Sequence, residues 1–186
     1  MECVIVHGLG QNPSSWNKIT RCLHEDVQVN CPDFTAWLAQ KDFIYSNLYS
    51  AFKEYCNTKN EPLHLCGLSL GAILALNYAV DYPDRVGSLV LIAPQYKMPV
   101  FLLKVQAIIF HFMPKSSFVS SVLTKENTIR LTKSMQRLDF SENLRNIMCP
   151  VLVICGEHDF ANKKGGKHYL ILLMPRFVKS MTQDMK

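Results

Sequence analysis

Gly67-Leu68-Ser69-Leu70-Gly71 places a serine between two glycines, with the apolar run Pro62-Leu63-His64-Leu65-Cys66 before it and the apolar stretch Ala72 to Val80 after it. A Gly-x-Ser-x-Gly segment that turns a strand into a helix forces its serine into strained backbone dihedrals. Its glycines are needed because neighbouring chain segments approach too closely for side chains. Such a turn presents the hydroxyl at the carboxyl ends of the strands, where ligands bind in open α/β sheets. The start of the following helix adds partial positive charge where an oxyanion would develop. The chemistry implied is nucleophilic attack on an acyl carbon. His7-Gly8-Leu9-Gly10, after the apolar Cys3-Val4-Ile5-Val6, supplies a second loop. The Leu9 amide could join that of Leu70 in holding a tetrahedral oxygen, with His7 shaping the loop rather than transferring a proton. A third segment, Cys149 to Asp159, reads as a strand ending in Gly-Glu-x-Asp. A carboxylate there could orient an imidazole and stabilise its charged form. Asp159 is the choice for that role, Glu157 is the fallback, and His158 reads as loop.

These residues need a scaffold, and the hydrophobic pattern describes one. Short apolar or β-branched runs at Cys3–Val6, Val27–Val29, Pro62–Cys66, Val86–Ala93 and Pro150–Cys155 read as strands, the first of them buried on both faces. Between them lie helical patterns: Ser14 to His24 with Trp16, Ile19 and Leu23 on one side, a stripe of Leu48, Ala51, Phe52 and Tyr55, and Ala72 to Val80 closed by Pro83. Strands alternating with helices predict an α/β domain, a mostly parallel sheet with helices on both faces. From about Gln95 to Asn146 no strand-like run occurs, only Phe-, Met- and Leu-rich helical pattern. An excursion of that length inside a compact domain is expected to be functional, here a lid over a pocket.

Composition narrows the function classes. The chain has 186 residues and a formal net charge of +5. The excess sits in the tail, where Lys163, Lys164, Lys167, Arg176, Lys179 and Lys186 face one acid, Asp184. The rest balances its charges, so a nucleic-acid surface is not predicted. The seven cysteines are an odd number with no Cys-x-x-Cys pair and no zinc spacing, so no metal is expected. No signal peptide is visible at Met1–His7, and the greasy Met98–Met113 is interrupted and too short to span a bilayer. A reduced, cytoplasmic protein with no membrane span is the expectation; the oligomeric state is left open.

On these motifs the chain resembles the α/β-hydrolase superfamily, specifically its small bacterial, capped, serine-dependent members. The resemblance runs from residue 1 to about 164, through the oxyanion loop, the nucleophile elbow, Tyr82-Pro83-Asp84-Arg85-Val86, the helical cap and the strand leading to Asp159. It implies a division into 1–94 (first part of the core), 95–146 (cap), 147–164 (core strand and acid loop) and 165–186 (an atypical tail). It further implies Ser69 as nucleophile, Asp159 as acid, Leu9 and Leu70 as oxyanion donors, no metal or organic cofactor, and a small-molecule acyl or ester substrate. The family pattern then requires another strand, a Gly-His loop and a final helix, which the resemblance does not find here. The only histidine after Asp159 is His168, which reads as a tail residue rather than the base. Back-translation offers a reason: read one base earlier, the codons of Ser180–Lys186 permit Asp-Ala-Gly-His-Glu, and those of Ile171–Pro175 permit Ile-Pro-Asn-Ala. Asn162-Lys163-Lys164 can be encoded by an adenine run. The tail is therefore expected to be truncated or out of frame, leaving the Val151–Cys155 strand with an uncovered edge, and the chain poorly soluble and essentially inactive. The primary reading is a serine hydrolase of carboxylic-ester bonds lacking its catalytic histidine. The alternative is an inactive hydrolase-like remnant or a non-enzymatic binding protein.

Overall fold

The predicted apolar runs all form strands: β1 (Glu2–Val6), β2 (Gln28–Asn30), β3 (Leu63–Leu68), β4 (Val86–Ile92) and β5 (Val151–Cys155). The structure, a computed structural model, describes residues 1–38, 41–59, 62–98 and 124–155, and the backbone of Tyr169–Leu173. The five strands lie in the order β2-β1-β3-β4-β5, each parallel to its neighbours. Register is set so that Val6 faces Gly67, Leu68 faces Ile92, and Ile92 faces Ile154. This brings the carboxyl ends of β1, β3 and β4 together. A sixth strand, β6 (Tyr169–Leu173), pairs antiparallel with β5, Val151 opposite Leu173 and Cys155 opposite Tyr169. That corrects the expectation of an uncovered β5 edge. A free edge presents unpaired N–H and C=O groups, and the Tyr-Leu-Ile-Leu-Leu run that follows it has the composition of a strand. Among the described residues β6 is the second partner of β5, and it is the one antiparallel pairing in the sheet.

Helices α1 (Asn17–Thr20), α2 (Phe34–Trp37), α3 (Tyr45–Asn57), α4 (Leu70–Asp81) and α5 (Lys125–Ser134) complete the described elements. The long helix expected over Ser14 to His24 is replaced by a 3-10 turn at Pro13–Trp16 and the single turn of α1. Of its apolar stripe only Trp16 is buried, while Ile19 is 48% and Leu23 38% exposed. The Asn12 side chain caps the Ser14 amide at 3.0 Å, and Pro13 starts the tight turn, so the chain enters this segment through 3-10 rather than α geometry.

The packed core lies between one sheet face and helices α3 and α4. Val4, Val6, Leu63, Leu65, Leu89, Leu91 and Val151 join Leu48, Phe52, Leu74 and Tyr78 in one buried cluster. Each such side chain contributes about 1.5–3 kcal/mol by leaving water. Apolar nearly throughout, α4 is buried from Leu70 to Ala79 apart from Asn77, as its sequence predicts for a helix without a wet face. Asn77 faces α3 and accepts from the Tyr45 hydroxyl at 3.0 Å. Arg85 donates to the Lys59 carbonyl at 2.5 Å, beyond the last turn of α3.

The excursion between β4 and β5 leaves and rejoins the sheet through a narrow neck. Met98 N–H donates to Leu138 O at 3.0 Å and Phe140 N–H to Tyr96 O at 2.7 Å, with Lys97 and Asp139 paired at 2.9 Å beside them. Within it, α5 docks on α3, where Ser134 Oγ accepts from the Tyr45 amide at 2.8 Å. The remainder of the expected cap, 99–123, lies outside the described residues. Among the described residues no helix is long and apolar enough to cross a membrane.

Candidate active site

The serine expected as nucleophile sits where β3 ends and α4 begins, at φ 52° and ψ −110°. A non-glycine residue at positive φ costs about 1–3 kcal/mol and persists only where its surroundings over-determine it. Here they do: Ser69 N–H donates to Ile92 O at 2.8 Å on β4, and Ser69 O accepts from Ile73 N–H at 3.0 Å inside α4. The flanking glycines are required sterically. A Cβ on Gly67 would lie 2.3 Å from the Gly71 carbonyl oxygen, and a Cβ on Gly71 would lie 2.3 Å from Val6 O and 2.8 Å from His7 O. Helix α4 and strands β3 and β1 therefore meet at backbone distance.

The same contacts bring in the loop after β1. Gly8 packs against β3, its hypothetical Cβ 3.3 Å from Leu68 O. The loop closes on itself: Gly8 N–H donates to Gln11 Oε1 at 2.9 Å, Gln11 N–H donates to Gly8 O at 3.2 Å, and Gly10 takes φ +78°. Neither the Leu9 amide nor that of Leu70, the first residue of α4, has an acceptor among the described residues. The positive end of a 12-residue helix thus begins one residue after the serine.

Three histidines are described, and each is engaged away from Ser69. His7 is fully buried with Nδ1 3.0 Å from Gly8 O. Exposed His24 pairs with Asp26 at 3.1 Å, and His64 Nδ1 meets Ser88 Oγ at 2.8 Å on the sheet. Asp159, its fallback Glu157, His158 and His168 lie outside the described residues; β5 is described to Cys155. Ala93 was not singled out by sequence reasoning. It follows β4 at φ 49°, its amide donating to Ile154 O at 2.7 Å, directly beyond the Ile92 carbonyl that holds Ser69. No local residue pattern advertises it. Gln11 was also missed, although a polar side chain three residues beyond Gly8 is the spacing that closes such a loop. Among the described residues no three His, Cys, Asp or Glu side chains are grouped to hold a metal ion. The open depression bounded by Trp37, Glu54 and Tyr55 lies on α2 and α3 and contains none of the candidate residues.

Residues 3–184 match the family model described as "Alpha/beta hydrolase family", which carries the match past Lys164, where the resemblance read from motifs ended. Over 95 residues the chain is 30% identical to the pimeloyl-acyl-carrier-protein methyl ester esterase of Aeromonas hydrophila subsp. hydrophila, covering 50% of this chain and 37% of that protein. Over 103 residues it is 24% identical to the 2-hydroxy-6-oxo-6-phenylhexa-2,4-dienoate hydrolase of Comamonas testosteroni, covering 49% of this chain and 35% of that one. The match spans little more than a third of either relative's length. Among solved structures, the enol-lactonase from Burkholderia xenovorans LB400 superposes with a TM-score of 0.73 at 17% identity, over 99% of this chain and 90% of that one, a likeness of fold.

Proposed function

Because the chain belongs to the alpha/beta hydrolase family, we propose that it is built to hydrolyse an acyl bond, a carboxylic ester first among the candidates, with Ser69 as nucleophile. In this reading Ser69 Oγ bonds to the carbonyl carbon and passes its proton to a base, while the carbonyl oxygen takes the electron pair. The Leu9 and Leu70 amides receive that oxyanion. Collapse expels the leaving alcohol, which takes up the proton, and water then cleaves the acyl-serine. Asp159 is assigned to orient the base. The excursion 95–146 acts as the lid, its neck at Tyr96–Met98 and Leu138–Phe140 tying its two ends to each other.

The observation that carries the reading is the strained Ser69 backbone, braced by Ile92 O and framed by two glycines that admit no side chain. Strain of that kind is tolerated where it presents a group for work. The relatives' printed names, an esterase and a dienoate hydrolase, are compatible with the same attack on a carbonyl. The base is the weak point. All three described histidines are engaged elsewhere, and a serine without a base is a poor nucleophile at neutral pH. We assign the purified chain a very slow turnover for that reason. That same observation favours the second reading, a hydrolase-like binding protein that does not turn over.

The test is hydrolysis of 4-nitrophenyl acetate by the purified chain, with and without added imidazole as an external base, each rate taken after subtraction of the protein-free reaction, since imidazole itself cleaves this ester. Stimulation by imidazole that Ser69→Ala abolishes supports the hydrolase reading; equal rates in both proteins refute it. Rapid hydrolysis without imidazole, lost in Ser69→Ala, overturns the missing base. Gene codons after Lys163 that fail to spell Gly-His in the neighbouring frame end the frameshift explanation.

A further inference from the structure

We infer that Asp33 and Phe34, acting through His7, are positioning residues for the Gly8–Gln11 loop beside the nucleophile elbow. The inference rests on the hydrolase reading only for what that loop does. His7 is 0% exposed, and its ring is held on three sides. Its Nδ1 lies 3.0 Å from Gly8 O, a contact that requires the hydrogen on that nitrogen, so Nε2 points the other way. There Nε2 is buried without a hydrogen-bond partner, and the charged atom facing it is Asp33 Oδ1 at 3.6 Å. Phe34 stacks on the ring face, centroids 4.1 Å apart and planes 18° from parallel.

Asp33 is itself fixed. Its Oδ1 accepts from Thr35 N–H at 2.9 Å and from the Thr35 hydroxyl at 2.6 Å. Burial pushes its carboxyl upward, but the Thr35 bonds and the nearby His7 outweigh that and hold it below the ordinary carboxylate range. The pair is delivered by topology. Val4 of β1 is in register with Asn30 of β2, so the chain leaving β2 runs through Asp33 and Phe34 beside the chain leaving β1 through His7.

A phenylalanine at position 7 would stack on Phe34 equally well and leave no buried nitrogen unsatisfied, a state that costs about 1–3 kcal/mol. What the imidazole adds is its N–H tie to Gly8 and, in the form that carries a second hydrogen on Nε2, a charge-assisted contact with the Asp33 carboxylate. Gly8 O accepts from both His7 and Gln11, and Gly8 rests on Leu68, next to Ser69. A tilt of the ring therefore moves the Gly8–Leu9 peptide relative to the serine. Displacements near 1 Å in such sites cost about 100-fold in rate, so a partial shift is expected to cost about tenfold.

The test uses Asp33→Ser, which removes the charge and keeps a capping hydroxyl for α2, together with His7→Phe. Two quantities are read: amide hydrogen exchange at Gly8 by NMR, and the rate of Ser69 phosphonylation by a fluorophosphonate with imidazole present. Both variants are expected to exchange Gly8 about tenfold faster and to label about tenfold more slowly, with the Asp33→Ser urea midpoint close to that of the parent. Faster Gly8 exchange in a protein whose Ser69 never labels sustains the positioning role and sinks the hydrolase reading instead. Gly8 exchange unchanged in both variants overturns the inference.

Discussion

The two faces of the sheet are built to different standards. On the face toward α3 and α4, Val4, Val6, Leu63, Leu65, Leu89, Leu91 and Val151 are all buried in one cluster. On the other, Cys3, His64, Cys66, Ser88, Val90, Ile92, Leu152 and Ile154 are half-buried, with Ile5 fully covered. Polar groups live on that second face: His64 and Ser88 bond to each other there, and burial pushes the Cys66 thiol up to about 12. The tight face is the one through which α4 is locked to β1 and β3, and the serine immediately precedes α4. The position of the serine is thus fixed from one side of the sheet, while the other tolerates side chains of mixed character.

The largest effect expected is at the point of closest approach. Gly71→Ala would drive a methyl group to 2.3 Å from Val6 O, so the helix must move away from β1. Loss of more than about 4 kcal/mol, or failure to fold, is predicted from urea unfolding. Next, Leu65→Ala, at a site 1% exposed on the tight face, is expected to cost about 2–5 kcal/mol. Leu152→Ala on the loose face should cost less than half of that. Equal losses at the two sites would erase the distinction between the faces. Ala93→Gly relieves a positive φ and is predicted to stabilise the fold by about 1 kcal/mol. Because Ala93 adjoins the carbonyl that braces Ser69, the same substitution should slow Ser69 labelling.

The smallest effect is electrostatic and sits at the neck of the excursion. Hydrogen bonds from Ser141 and Lys97 hold the Asp139 carboxyl down at about 2. A folded-state value below the unfolded one means that the contribution is complete above about pH 4 and fades as pH falls toward 2. Asp139→Asn should therefore narrow the gap between neutral and acid stability slightly in urea titrations at pH 7 and pH 2.5. A larger gap in the variant would contradict the assignment.

Legibility followed the range of the interaction. The elbow could be read because five consecutive residues and their apolar flanks carry its geometry, and the parallel strands because each is a continuous apolar run. The pairing of His7 with Asp33 could not, since 25 intervening residues separate them and only the β1–β2 register joins them. Tyr169–Leu173 is an apolar pentad, but it lies in the tail expected to be out of frame, and antiparallel return has no local signature of its own. The stripe of Trp16, Ile19 and Leu23 suggested a longer helix than forms, because a capped Pro13 turn competes with α geometry at its start. The positive φ of Ala93 is set by what surrounds it and leaves no mark on the residue itself.

The central claim is that Ser69 is a presented nucleophile rather than an incidental turn residue. Its most direct test is incubation of the intact 186-residue chain with a fluorophosphonate and imidazole, followed by peptide mass spectrometry to locate the adduct. The account predicts one phosphonate, on the peptide carrying Ser69, and none in Ser69→Ala. An adduct confined to other hydroxyls, or the same yield in both proteins, would contradict it.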